Sequence, residues 1–308
     1  MAEPGKRKRG LRQRLDRQSL AGPVLALPGV LGLFLFIAVP FLTAVVLSFT
    51  DLRMGSPLPT RFVGLQQYER ILGDASFQRA LFNNILFAAV VVPLQTVVAL
   101  GLALLLNQRL RGRAFFRTLF FMPVVFPMAL VAVVWELIYA PGPEGLMNSF
   151  LRFVSFGAVD AVDVLNNRWL ALPGIMLFSL WQGVGFQMIV LLAGLQSISG
   201  SLYEAAAVDR AGRWSQFIHV TLPQLRNALV FTMLVTTILA FSVYAQVEIT
   251  TRGGPVDATT TVMYETVRTV FDRQQVGQAS AMTVVFFVMV LLVTLVQRAL
   301  VKQEREVE

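Results

Sequence analysis

Residues 201–223 read Ser201-Leu202-Tyr203-Glu204-Ala205-Ala206-Ala207-Val208-Asp209-Arg210-Ala211-Gly212-Arg213-Trp214-Ser215-Gln216-Phe217-Ile218-His219-Val220-Thr221-Leu222-Pro223. Ser201 and Glu204 have the spacing of a capping box, in which the hydroxyl accepts from the N–H three residues on and the carboxylate reaches back. Residues 205–211 can all be helical. Gly212 is placed to end that helix in a left-handed turn. Residues 213–220 can form a second short helix, and Pro223 fits the first turn of the element that follows, where its missing N–H is harmless. Residues 205–207 offer a flat patch of small side chains that another protein's groove can approach closely, with Asp209, Arg210 and Arg213 at its rim. An amphipathic helix lying on lipid satisfies the same pattern.

What flanks this segment decides its setting. The chain has 308 residues, of which 56% are hydrophobic and only 14% charged. A soluble domain carries nearer a quarter charged residues, so the bilayer is the expected solvent. Six stretches are apolar enough to cross a hydrocarbon core, which takes about 20 residues. They fall near residues 24–49, 80–107, 117–140, 170–195, 225–247 and 277–299. The expected fold is an all-α membrane protein with six transmembrane helices over residues 21–300. A basic tail occupies residues 1–20, the polar loop residues 196–224 and a short tail residues 301–308. Pro40, Pro93, Pro123 and Pro127 lie inside spans, where neighbouring helices or water can satisfy the carbonyls they free, and they imply kinks.

Composition also excludes chemistry. There is no cysteine and a single histidine, His219, so no thiolate site or multi-histidine metal site can form. No lysine lies between Lys8 and Lys302, so a phosphate-cradling Gly-rich loop ending in lysine is absent. If ATP drives this protein, a different chain binds it.

The net charge is +8. Lysine and arginine number 17 on the side of the N-tail, the 201–223 segment and the C-tail, against 9 on the other. The positive-inside rule then places both termini and the 196–224 loop in the cytoplasm. The basic N-tail abuts the first span, where it holds orientation and meets anionic lipid rather than nucleic acid. Trp135, Tyr139 and Trp169 read as an aromatic belt.

The run Glu204-Ala205-Ala206-x-x-Asp209-x-Ala211-Gly212-Arg213 through Pro223 resembles the EAA signature of binding-protein-dependent ABC importer permeases, in particular the carbohydrate-uptake branch of maltose and glycerol-3-phosphate type. Thr251-Arg252-Gly253-Gly254-Pro255 resembles that branch's T-x-G-G-P segment. Gly277-Gln278-Ala279-Ser280-Ala281-Met282 resembles its G-Y-A-S-A-M segment, with Gln278 where tyrosine is usual. Residues 112–117 and 181–186 also fit. Arg210 stands where the family's most characteristic glycine falls.

The resemblance implies the type I ABC importer permease fold with a cytoplasmic coupling helix, in a bacterial inner membrane. It implies a second permease subunit, two ATPase subunits that carry the ATP and Mg, and an extracytoplasmic solute-binding protein. The chain itself would bind no cofactor and would not be an enzyme. Glu204 would order the coupling helix and contact the ATPase, Ala205 and Ala206 would seat it, and Gly212 would turn it.

A carbohydrate pathway needs hydrogen-bonding groups and aromatic faces. Gln182, Phe186, Gln187, Tyr244, Gln246 and Glu248 are the first candidates, with Asn83, Asn84, Gln95, Trp181 and Ser242 also at membrane depth. Gln182 and Phe186 are one turn apart and share a helix face. Each of the polar groups could instead tie helices together. A phosphate ester such as glycerol-3-phosphate or a phosphodiester would favour an arginine in the pathway, and the apolar cores hold none. An ion-coupled secondary transporter would want carboxylates or histidines within the spans, and the apolar cores lack these too.

Overall fold

The computed structural model describes residues 25–108 and 111–302. The basic tail before residue 25, Arg109 and the last six residues of the C-tail lie outside the described residues. The helices, in chain order, are α1 Leu25–Leu47, α2 Gln66–Gly73, α3 Ala75–Asn107, α4 Arg113–Val125, α5 Met128–Ile138, α6 Leu146–Val154, α7 Ala171–Ser197, α8 Gly200–Val208, α9 Arg213–Gln224, α10 Arg226–Phe241, α11 Ala245–Thr250, α12 Val262–Phe271 and α13 Val276–Lys302. Four of these, α1, α3, α7 and α13, are single continuous candidate spans. The third expected span is divided between α4 and α5, which meet at 100°, and a 65° bend between α9 and α10 sets the second short helix of the 201–223 segment off from the fifth.

The breaks have different causes. Pro127 forces the residue before it out of the helical region, and Phe126 is extended at φ −79°, ψ 136°. That kink is local chemistry. In α1, Pro40 has no N–H to give, and the turn before it widens into a π-helical stretch at Phe34–Ala38. The fifth span departs furthest from expectation. The segment read as residues 225–247 is helical only from Arg226 to Phe241, then turns at residues 242–244 and restarts as α11. Neither proline nor glycine lies in that turn. Instead Asn84 Nδ2 donates to the Phe241 carbonyl (3.1 Å) and Thr261 Oγ1 to the Val243 carbonyl (2.7 Å). Two buried side chains from distant segments take up carbonyls that an unbroken helix would have used. Pro223 does not open the fifth span as expected. It sits in the last turn of α9, ahead of the bend.

The centre of the molecule is α3 against α7, with α10 and α4 packed on the same pair. Phe87, Tyr139, Phe178 and Phe241 anchor one core, and Ala99, Ala103, Met188 and Leu191 a second. Glycines let the backbones close. A Cβ on Gly185 would fall well inside contact distance of the Phe120 carbonyl oxygen and 2.9 Å from Phe121 Cα. A Cβ on Gly183 would lie 2.5 Å from Gln95 Nε2. Small residues at such crossings are the usual means of close packing in lipid. By contrast α1 buries none of its side chains in this chain.

Tyr139 is not a belt residue. It is 2% exposed, and its hydroxyl donates to the Gly174 carbonyl at 3.2 Å. Trp135 packs inward against Tyr139, Phe178 and Trp181, with centroids 5.3, 5.9 and 5.8 Å away. Trp169 stays 78% exposed at the start of α7.

Candidate coupling surface and solute pathway

The 201–223 segment forms two short helices, as its pattern predicts, but its caps differ. The N-cap of α8 is Ser199, and no side chain caps the helix. Ser201 Oγ instead pairs with Ser199 Oγ at 2.7 Å. The expected Ser201–Glu204 capping box is therefore not made, because the helix begins at Gly200 and places Ser201 inside its first turn.

The turn is also set by a different residue. Arg210 N–H donates to the Ala207 carbonyl (3.0 Å) and Ala211 N–H to the Ala206 carbonyl (2.9 Å). This is the paired bonding of a Schellman C-cap, which requires a left-handed residue directly after the C-cap. That residue is Arg210, at φ +56°. Gly212 is extended (φ −67°, ψ 166°) and serves as N-cap of the following helix. So the turn remains where the family's glycine would put it, and an arginine is held in a conformation that costs an L-residue about 1–2 kcal/mol. Arg210→Gly is expected to slow amide exchange of residues 206–211 by about two- to fivefold, a net gain of roughly 0.5–1 kcal/mol once glycine's greater freedom in the unfolded chain is counted. Faster exchange in that variant would mean the arginine side chain, not the backbone, holds the turn.

No side chain of α8 is buried. Glu204, Ala205, Asp209, Arg210, Gly212 and Arg213 are exposed and Ala206 half-exposed, and Val208 and Trp214 expose 83% and 72% of their surfaces. The Glu204 side chain makes no hydrogen bond or ion pair among the described residues. The pair is nevertheless fixed to the span: Tyr203 hydroxyl bonds Thr221 Oγ1 at 2.9 Å. Gln216 Nε2 reaches back to the Ala211 carbonyl at 3.0 Å. His219 lies on α9, as expected for the second helix, with Nδ1 at 3.0 Å from the Ser215 carbonyl.

The pathway candidates separate by environment. Asn83 Nδ2 donates to the Asp257 and Thr260 carbonyls (3.1 and 2.9 Å), and Asn84 also accepts from Val262 N–H at 2.7 Å. Both are ties between α3 and the 251–262 loop. Gln187 is fully buried and its amide donates to Thr236 Oγ1 on α10. Gln182 and Phe186 remain half-exposed on α7, and Gln182 Nε2 points at the Phe126 carbonyl freed by the α4–α5 break, at 3.5 Å. Trp181, 43% exposed, stands beside Gln182 and packs edge-on to Trp135. Tyr244, Gln246 and Glu248 begin α11, which lies against α5. Gln246 is buried, whereas Tyr244 and Glu248 are half-exposed.

Two features escaped the sequence reading. The 251–262 loop is a buried hydrogen-bonded knot: Thr259, Thr260 and Thr261 are all 0% exposed, and Tyr264 hydroxyl donates to the Arg252 carbonyl at 2.8 Å. The second is Glu265 on α12, fully buried and paired with Arg273 Nη1 at 2.8 Å. Burial pushes this carboxyl above the usual glutamate range, and Arg273 opposes the shift. A raised folded-state pKa means stability that is present at low pH and is lost as pH rises through it. Arg273→Gln removes the opposing cation, so it is expected to destabilise the protein by about 1–3 kcal/mol at neutral pH. The loss should shrink on acidification and in the Arg273→Gln/Glu265→Gln double variant. Thermal unfolding of the three proteins at pH 5 and pH 8 checks this, and a pH-independent loss would show that the pair acts by packing alone.

A helical membrane subunit with two broken spans and an exposed, rigidly anchored helix pair on one end has the form of an importer permease. Residues 95–306 match the family described as binding-protein-dependent transport system inner membrane component, and the chain belongs to that family. It is 32% identical to the diacetylchitobiose uptake system permease protein NgcF of Streptomyces coelicolor, over 97% of this chain and 86% of that protein. It is 33% identical to the trehalose/maltose transport system permease protein MalF of Thermococcus litoralis, over 91% and 93%. Among solved structures it resembles a chain of a bacterial alginate ABC transporter, in complex with an alginate pentasaccharide-bound periplasmic protein. The TM-score is 0.80 at 20% identity, covering 96% of this chain and 98% of that one, a likeness of fold.

Proposed function

We propose that this chain is one permease half of an ATP-driven carbohydrate importer. It pairs with a second permease and docks α8 into a cleft of an ATPase subunit that carries the ATP and Mg. A solute-binding protein delivers ligand from outside. The 17-to-9 basic asymmetry supports cytoplasmic termini and a cytoplasmic α8. The observation that carries coupling is the combination at α8: an element with no buried side chain that is nonetheless closed by a Schellman turn and anchored to α9 by the Tyr203–Thr221 bond. A lipid-lying helix would need one apolar face, whereas residues 204–207 present a carboxylate and three alanines.

Carbohydrate as the solute is supported by the sugar-uptake relatives and by the surface at the α4–α5 break. Trp181, Gln182 and Phe186 put two aromatic faces and an amide on one exposed stretch of α7, with Tyr244 and Glu248 available on α11. Gln187 is spent on Thr236 and is left out of the pathway.

The test is ATPase stimulation by loaded binding protein in the reconstituted assembly. Glu204→Ala is expected to abolish most of the stimulation while the chain still inserts and the permeases still pair. Gly212→Ala meets no atom within 4 Å, so any loss of stimulation there reports a docking contact rather than a broken turn. Wild-type stimulation in both variants, or a purified chain that brings no ATPase with it, would overturn the coupling assignment.

A further inference from the structure

A cavity of about 390 Å³ opens between the first turns of α3 and α7. Two arginines, Arg79 and Arg168, form its charged part beside the Asn83 amide, and Phe82, Leu86, Leu172 and Trp169 form apolar walls. No acidic residue lines it. Arg79 Nη1 is held by the Val256 carbonyl at 2.9 Å, which leaves most of its donors to point elsewhere. The Arg168 guanidinium lies over the Trp169 ring, 5.8 Å from the centroid. Neither arginine is in an ion pair among the described residues. The nearby carboxylate in the loop wall, Asp257, is already accepting from Ser76 (3.0 Å) and Thr260 (3.4 Å).

The setting gives this pair of cations its partner. The 27-residue α7 runs from beside this cavity to the coupling helix, so the cavity sits roughly 40 Å from α8, at the opposite end of the span. Below it, Phe82, Leu86, Val90, Leu94 and Val97 follow one another at helical spacing on α3 and are all exposed. They form an apolar track leading from the arginines along the span. A planar guanidinium fork matches a phosphate, and a track of this kind matches an acyl chain. We propose that this cavity binds the headgroup of an anionic phospholipid in the leaflet opposite the coupling helix, with the acyl chain laid along the α3 stripe. A carboxylate from a soluble binding protein could meet the arginines but would leave the stripe uncovered.

Native mass spectrometry of the detergent-purified complex, supplied in parallel with phosphatidylglycerol and phosphatidylcholine, tests the site. Selective retention of phosphatidylglycerol is expected. Each arginine near a charged membrane surface contributes about fivefold, so Arg168→Gln should weaken retention about fivefold, and the Arg79→Gln/Arg168→Gln double variant by roughly 25-fold if the two act independently. Arg152→Gln, on α6 and outside the cavity, should change nothing. If the double variant does not assemble, Arg168→Gln alone decides, since the Arg79–Val256 tie is intact there. Equal retention of the two lipids, or wild-type retention in Arg168→Gln, overturns the proposal. So does displacement of phosphatidylglycerol by millimolar inorganic phosphate, which would assign the site to a soluble anion. Loss of the co-purifying binding protein with lipid retention unchanged would assign it to a protein contact instead.

Discussion

Asn84→Leu is expected to be among the most damaging single substitutions in this protein. Leucine fills a similar volume but leaves the Phe241 carbonyl and the Val262 N–H without the partners they have now. Both groups lie among residues that are fully or almost fully buried: Asn84 and Val262 are 0% exposed and Phe241 is 1%. A buried donor or acceptor left unsatisfied costs about 1–3 kcal/mol, so two give roughly 2–6 kcal/mol, a large part of the usual margin of stability. The damage should be specific. The fifth-span break would lose the side chain that holds it open, and α11 would lose its placement beside α5. Size-exclusion profile and thermal unfolding in detergent check the prediction. Gln187→Leu serves as comparison, since it removes one side-chain pair and orphans no backbone group. If Asn84→Leu proves no worse than Gln187→Leu, the break is held by packing rather than by the amide.

Gly185→Ala should be comparably severe for a different reason. The atoms its Cβ would strike belong to the backbone of α4 at Phe120 and Phe121, which no rotamer change can move aside. Helix α4 must separate from α7, and overpacking of this kind costs about 1–3 kcal/mol, occasionally more. The separation would also disturb the α4–α5 break next to Gln182, so transport is expected to fall further than stability alone predicts. Gly183→Ala meets the end of the Gln95 side chain, which can swing, so its cost should be smaller. Gly212→Ala should cost least. An order other than Gly185, Gly183, Gly212 in unfolding temperature would show that the α4–α7 contact is softer than its geometry implies.

Much of the architecture was legible in the residue order. The desolvation cost of charge in hydrocarbon leaves long uncharged runs wherever the chain crosses, and four of the six runs coincide with continuous helices long and apolar enough to span. The kink at Phe126 was legible because proline acts on its own neighbour. The helix–turn–helix at residues 201–223 was legible because capping and turn residues are local signals, although its details shifted. Ser199 rather than Ser201 caps α8. Arg210 rather than Gly212 takes the left-handed position, because the helix length places the Schellman turn there whatever residue occupies it.

The remaining features have no local signal. The break at residues 242–244 depends on Asn84 and Thr261, and Asn84 is 157 residues away from the carbonyl it captures. Glu265 carries no local mark of its burial, which arises only when α12 packs against α13 and α3 and seals it beside Arg273. Tyr139 and Trp135 read as interfacial until α5 folds back at the break and turns them toward α7. Thus the sequence alone determined which segments are apolar enough to span and where the helix–turn–helix at residues 201–223 lies, since solvation and turn chemistry act over a few residues. Only the tertiary structure decided which polar groups are spent holding helices together and which remain exposed, since a hydrogen bond between segments is settled by whichever distant segment arrives to complete it.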